Sequence, residues 1–425
     1  MPTRLLVFFW SNLLPFNEFF KVKTPGEIHH LIKDFHPLGP ESVTLSESLN
    51  RILAEDVLSP IDLPPFRRST VDGYALKAQD SFGASENNPG LLTVAGEVVM
   101  GAVTDLTVSH GETVTVPTGG MVPQGADAVL MVEFAEKVDE HTIQVKRPVS
   151  PLENVAERGE DIGKGDRIRS RGDRVRPQDV GAMAAIGKSR LTVYRRPRVA
   201  IVSSGDEIVD VTENPRTGQI RDVNHYSLGA QVETAGGIPI FVGIAPDSFE
   251  DLKDLCEQGL AKSDMLIISG GSSVGIMDHT TSVIRSFADS EIMVHGVSLR
   301  PGKPTIIGRA GTKPIAGLPG HPVSAMVVFD IFMRPLIWRL AGYHGPLWPL
   351  GKRISAVLTR NLSSLPGREE YVRVSLDEKD GRVTAHPILG KSGSISTMVR
   401  ADGLVKIGMD SEGLDEGTDV EVFLF

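Results

Sequence analysis

The sequence predicts a multidomain chain of α/β plus β class: a doubly wound α/β domain, an inserted small all-β module, a linker domain of helices and strands, and a small C-terminal β-barrel or sandwich. Three observations carry this expectation. The chain has 425 residues, and at roughly 150 residues per domain that suggests about three domains. Its 44 Gly and 28 Pro, about one residue in six against an average near about 12%, promise many turns and short strands rather than a helical bundle. From Arg198 onward apolar strands alternate with helical patterns, the mark of a mostly parallel sheet with helices on both faces.

The chain opens on an apolar run, Leu5 to Trp10, behind Arg4. It is too short for a secretory signal, no small-x-small site follows, Pro15 interrupts it, and it falls short of the ~20 apolar residues of a membrane span. Residues 1–19 read as an N-terminal extension, a packed helix. Residues 20–60 and 161–195 form the linker domain. There Thr24-Pro25 starts a helix through Ile28, Leu31 and Ile32, and Thr44 to Leu53 reads as a second helix. Residues 61–160 form the β module, with strands at Leu92 to Val99, Thr113 to Val116, Ala128 to Glu133 and Thr142 to Val145.

Residues 196–343 carry the alternating pattern. Strands are expected at Val199 to Val202, Ile240 to Ile244 and Met265 to Ile268, with helices at Ser227 to Thr234, Phe249 to Leu260, Ser282 to Phe287 and Ala325 to Leu340. Residues 344–425 return to strands and turns, ending in Asp419 to Phe425. A formal net charge of -10 argues against nonspecific binding to nucleic acid or anionic lipid, which need a basic footprint. The single cysteine, Cys256, excludes an intramolecular disulfide and any multi-cysteine metal cluster, and fits a reducing compartment.

Open parallel sheets bind ligands at the carboxyl ends of their strands, so the chemistry is expected just after Val202 and Ile268. Ser203-Ser204-Gly205-Asp206-Glu207 offers small residues for close backbone approach and two carboxylates suited to hydrated Mg²⁺; an Asp-type helix cap is the other reading. Ser269-Gly270-Gly271-Ser272-Ser273-Val274-Gly275 between strand and helix offers backbone N–H groups to an anion. Asp278, within one turn, either holds a metal beside that anion or caps the helix. Neither stretch is a Gly-x-Gly-x-x-Gly or Walker A loop. Arg300 and Lys303, on the Pro-stiffened turn Leu299 to Pro304, suit an oxyanion or form a solvated basic turn. Gly317 to Ser324, containing Pro319, His321 and Pro322, ends in a hydroxyl that caps the next helix, binds an anion, or both. His321 has no second histidine at metal-ligand spacing.

Further polar turns stand at Ser69 to Ala75, Thr118 to Val129 and Arg158 to Asp161. With Ser204 to Glu207, Thr217-Gly218-Gln219-Ile220, Asp222, Asn224, Ser269 to Gly275, Asp278, Pro301 to Pro304 and Gly317 to Ser324, they form an ordered set. That set resembles the MoeA and gephyrin E-domain family of molybdopterin molybdenumtransferases across nearly all of residues 20–425. The pattern departs from the family at Gly120, Arg300 and His321, where Ala, Lys and Asn are usual, and at Val155, Ala156 and Glu157, where basic residues are usual.

The resemblance implies a molybdopterin-binding α/β domain, a C-terminal β-barrel, and a cytoplasmic homodimer in which Asp72, Thr118 and Asp161 of one subunit complete its partner's site. It implies that Glu207, Asp247 and Asp278 handle Mg²⁺ and adenylylated molybdopterin. Ser204, Gly205, Asp206, Asp222, Asn224, Gly270, Gly271, Ser272, Pro319 and Pro322 fall to the cofactor site, and Arg300, Lys303, Ser324, Arg373 and Ser392 to molybdate. Molybdopterin adenylyltransferase is the expected upstream partner. Two other functions remain at this stage: a non-catalytic scaffold or carrier of the same fold, and a nucleotide hydrolase borrowing only the α/β domain. Asp72, Thr118 and Ser392, which lie outside that domain, argue against the second.

Overall fold

The computed structural model describes residues 22–270, 274–346 and 352–425, with residues 274–278 by backbone alone. The expected extension 1–19 lies outside these ranges, as do Gly271 and Ser272. Among the described residues no helix is long and apolar enough to cross a membrane.

The first helix is Pro25–Ile32. Thr24 Oγ1 accepts from Glu27 N, and Glu27 Oε2 accepts from Thr24 N at 2.8 Å, so two otherwise orphaned amides are paired at the start. Pro25 supplies a fixed φ, and Ile28 and Ile32 bury against the core of the α/β segment.

The second expected helix, Thr44 to Leu53, does not form. One 3₁₀ turn, Leu45–Glu47, ends where Ser48 Oγ donates to Leu45 O at 2.7 Å, and Asn50 takes a left-handed φ of 65°. The chain then bridges Ile52 to Arg174 and Leu53 to Val193. Backbone pairing with distant residues outcompetes a weak local helix preference. Pro40–Thr44 pairs antiparallel with Arg190–Tyr194, and Val57–Leu58 with Arg167–Arg169, closing a small core of Val43, Leu53, Val57, Met183 and Val193.

Residues 73–145 carry a six-stranded sheet in the order Ala128–Met131, Gly73–Leu76, Glu112–Val116, Gly90–Glu97, Thr142–Val145, Ala135–Lys137. The strand expected to reach Glu133 stops at Met131, where a 3₁₀ turn, Val132–Phe134, follows.

The α/β segment holds a second six-stranded sheet in the order Ile238–Ala245, Arg198–Ser204, Met265–Gly270, Lys313–Leu318, Ile306–Ala310, Ser290–His295. The first three pairings are parallel; the last two are antiparallel. Val199, Ile201, Met265 and Ile267 bury in one apolar cluster and Ala200, Val202, Leu266 and Ile268 in another. Strict alternation across two covered faces explains the unbroken apolar strands. Helices Asn224–Thr234, Phe249–Lys262 and Val274–Ser286 provide cover. The expected helix at 325–340 runs from Pro322 through a π turn, Phe329–Met333, to Leu340.

The C-terminal strands close into a five-stranded barrel: Glu369–Lys379, Arg382–Pro387, Arg353–Leu358, Asp419–Leu424 and Gly403–Ile407, the last pairing back onto the first. Closure removes the sheet edges a sandwich would keep. Leu299–Arg300, from the α/β segment, adds parallel to Glu369 and Glu370.

Candidate functional site

Strand Arg198–Ser204 lies between Ile238–Ala245 and Met265–Gly270, so successive connections leave it in opposite directions. A ligand crevice is expected at the carboxyl ends of strands flanking such a reversal. Ser203 and Ser204 are the last residues of the strand rather than the start of a loop. Ser204 pairs with Gly270. A Cβ on Gly270, whose φ is +150°, would lie 2.2 Å from Ser204 O, so glycine permits the approach of the two backbones.

Ser204 Oγ donates to Asp247 Oδ1 at 3.2 Å, and Asp247 N donates to Asp206 Oδ1 at 2.9 Å. Each carboxylate uses only Oδ1 in these bonds. Asp206 and Glu207 are exposed and Asp247 is half-buried. No helix follows Glu207; Ile208–Val209 pairs with Ile220–Arg221 instead, so the helix-cap reading of this motif falls. Asp278 is the fifth residue of helix Val274–Ser286, too far in to cap it. Among the described residues no three His, Cys, Asp or Glu side chains are grouped to hold a metal ion; the expected trio includes Asp278, whose side chain lies outside that description.

Asn224 ties the crevice to the next loop: its Nδ2 donates to Ser269 Oγ and to Gly320 O, both at 2.8 Å. Asp222 Oδ1 accepts from His225 N at 3.0 Å, and the His225 ring stacks on Phe241 at 4.1 Å. Ser203 Oγ, Asp222 Oδ2 and Asn224 Oδ1 are buried with no hydrogen-bond partner. Such atoms in a native fold call for water or a ligand.

Pro319 is buried, and the following helix starts at Pro322 with His321 as its cap residue. Ser324 is therefore the third helical residue, and it is buried; its capping reading also falls. Val323 N donates to Ser392 O at 3.1 Å, bringing a barrel loop onto the helix start. Behind that loop, Arg373 Nη2 donates to Gly390 O at 3.1 Å and Nη1 to Thr397 Oγ1 at 2.8 Å. The guanidinium is buried, its partners are uncharged, and burial pushes its pKa down. An arginine still stays protonated, so its positive charge lacks a counter-ion among the described residues.

Arg300 differs. Its Nη1 lies 3.3 Å from Glu370 Oε1, and Glu370 also accepts from Ser364 Oγ at 2.9 Å. The Arg300 side chain is nonetheless 53% exposed, so this pair lies at the surface. Lys303 is exposed and makes no ion pair among the described residues. Glu370 and Thr397 were not singled out from sequence; Glu370 meets Arg300 through strand pairing and Thr397 meets Arg373 from helix Ser396–Val399, and neither meeting leaves a local signal.

In the β module, Asp72 Oδ1 accepts from Thr118 N at 2.7 Å and from Thr118 Oγ1 at 3.0 Å. These two donors, the backbone amide foremost, hold the Asp72 carboxyl below the usual carboxylate range. Asp161 N donates to Leu63 O at 3.1 Å. All three residues are exposed, and no hydrogen bond or ion pair among the described residues joins them to the α/β segment. A separate cavity of about 740 Å³, lined by Arg51, Arg174, Arg196 and Trp338, lies at the far end of helix Asn224–Thr234 and shares no motif residue.

A doubly wound sheet with a crevice at its switch point, joined to a closed five-stranded barrel, defines the class of α/β ligand-binding proteins. Comparison with known proteins sharpens the class. The chain matches the MoeA N-terminal region (domain I and II) over residues 24–187, a probable molybdopterin binding domain over 200–339, and the MoeA C-terminal region (domain IV) over 355–425. It is 35% identical over 394 residues to a putative molybdopterin biosynthesis protein of Methanocaldococcus jannaschii, covering 90% of this chain and 92% of that one. It is 30% identical over 390 residues to molybdopterin molybdenumtransferase of Bacillus subtilis, covering 90% and 89%. A crystal structure of the molybdopterin biosynthesis MoeA protein of Pyrococcus horikoshii OT3 superposes with a TM-score of 0.82 at 32% identity, over 95% of this chain and 100% of that one. The chain belongs to the MoeA family.

Proposed function

We propose that this protein is a molybdenum insertase, which places molybdate onto adenylylated molybdopterin and releases AMP. One observation supports this above the rest. A run of contacts links the carboxylates to the buried cation: Asp206 to Asp247 to Ser204, which pairs with Gly270; Ser269 to Asn224 to Gly320; then Val323 to Ser392, and Gly390 to Arg373. These contacts support a site shared by the carboxylates of the α/β segment and the arginine of the barrel.

The chain's own groups divide the work. Ser204, Gly205 and Gly270 let the adenylylated pterin approach the backbone. Asp222 and Asn224 present unpartnered buried oxygens to its donors or to ordered water. Arg373, with Lys303, Ser324 and Ser392, holds a tetrahedral dianion, which needs fixed donors around it. Glu370 tempers Arg300, so that side chain contributes position more than net charge. Glu207, Asp247 and Asp278 are the candidates for the one or two carboxylates that, with ligand phosphates, Mg²⁺ favours. Magnesium there would neutralise developing charge on the phosphoryl group as AMP departs.

Asp72, Thr118 and Asp161 complete the site of a second copy in a cytoplasmic homodimer. Their exposure, and the absence among the described residues of any bond from them to the α/β segment of their own chain, support this reading. Molybdopterin adenylyltransferase fits as the upstream supplier of substrate. The test is AMP release from adenylylated molybdopterin, with and without molybdate. Release that needs both substrates, and that Asp278→Ala abolishes in a folded protein, is the expected result. Binding of the pterin without any AMP release would instead make the chain a carrier.

A further inference from the structure

We infer that Thr397 is a positioning residue for the oxyanion, acting through Arg373; this rests on the proposed insertase reading. Arg373 is 9% exposed and Thr397 3%, so a donor on Nη1 that lost its partner would be poorly served by solvent. The Thr397 hydroxyl is fully used: Oγ1 accepts from Arg373 Nη1 at 2.8 Å and donates to Ser394 O at 2.7 Å. A hydroxyl has one proton to give and lone pairs to accept with, and here the proton goes to the loop and the lone pair to the arginine. The direction of both bonds is thereby fixed.

The same loop supplies the other anchor. Gly390 O accepts from Nη2 at 3.1 Å, and a Cβ on Gly390 would come within 2.9 Å of Thr397 Cγ2. Thr397 therefore touches both ends of the cradle, on helix Ser396–Val399 and on the turn that carries Ser392 to the start of helix Pro322–Val328. Two donors on the arginine are fixed internally, and the planar fork keeps its remaining donors in a set direction. Arg300 has no such arrangement, because a carboxylate balances its charge. The residue that sets the direction of the uncompensated charge is Thr397.

The experiment measures binding of molybdate and of tungstate to the full-length protein by calorimetry, and KM for molybdate and kcat in AMP release, for Thr397→Val, Thr397→Ser and Arg373→Ala. Valine keeps the shape and removes the hydroxyl. A hydrogen bond to a charged group is lost, so oxyanion affinity and KM should worsen about ten-fold or more while kcat changes less, and serine should restore most of the affinity. Unchanged affinity in Thr397→Val, alongside loss in Arg373→Ala, would overturn the role of Thr397 and leave the oxyanion site standing. Equal losses in the valine and serine variants would also overturn it, because packing rather than the hydroxyl would then be responsible. Unchanged affinity in Arg373→Ala would remove the oxyanion site itself, and this inference with it.

Discussion

Replacing Gly270 by alanine tests the architecture of the crevice directly. The added Cβ would sit 2.2 Å from Ser204 O, and real Cβ atoms essentially never approach a neighbour closer than 3.0 Å, so the strand ends must part by about 0.8 Å. The φ of +150° adds backbone strain of about 1–3 kcal/mol, and forcing apart a packed contact adds about 1–3 kcal/mol more. A loss of about 2–6 kcal/mol should lower the unfolding midpoint of this segment by several degrees. The same displacement would disturb the 3.2 Å bond from Ser204 Oγ to Asp247. A misplacement near 1 Å can cost about a hundred-fold in rate, so AMP release should fall by about that factor. Scanning calorimetry and the AMP-release assay read the two effects separately. Gly181→Ala is the control: it lies in helix Pro177–Ala185 with no atom within 4 Å of an added Cβ, and should be neutral or stabilising by about 1 kcal/mol. If Gly270→Ala matched wild type in both midpoint and turnover, the close approach of the two strands could not be what shapes the site.

Acid should weaken the fold through two half-buried histidines. Burial, only partly opposed by the Ile331 carbonyl that accepts from His29 Nε2 at 2.9 Å, holds His29 below its ordinary value, and burial does the same to His225. Groups with a depressed folded pKa contribute stability that is complete above the unfolded value, about 6.5, and is lost as the pH falls through the folded values. The unfolding midpoint should therefore drop as the pH falls below about 6.5, and His29→Gln should show a shallower drop; identical slopes would rule His29 out as a contributor. Mixed dimers of Asp72→Ala and Asp247→Ala chains should recover part of the activity that each homodimer lacks. No recovery in verified mixed dimers would place Asp72 outside any shared site.

Much of this was legible in the sequence where local chemistry decides the outcome. The Thr24-Pro25-x-Glu27 start specified its helix because both members of the reciprocal cap lie within four residues. The unbroken apolar strands at 199–202 and 265–268 announced a sheet covered on both faces, and with it a crevice at the strand ends. Thr44 to Leu53 misled because its cap-like start is satisfied within a single turn, after which pairing with residues 174 and 193 decides the backbone. The carboxylates of the crevice were readable as a motif. The fate of the arginines was not, because Glu370 lies 70 residues beyond Arg300 and Thr397 lies 24 beyond Arg373. Periodicity and turn signals carry no information about which distant side chain will balance a charge.

The pairing of Val57–Leu58 with Arg167–Arg169 has a practical consequence. Leu58 and Arg167 are opposite one another in an antiparallel ladder, and such partners have Cα atoms only about 5 Å apart. The polypeptide that departs at one and returns at the other, carrying Asp72, Thr118 and Asp161, can thus be cut away and the gap spanned by a tight turn without pulling on the remainder. The shortened protein would keep the strands of the crevice and barrel while missing Asp72, Thr118 and Asp161, so that substrate binding and turnover could be measured apart.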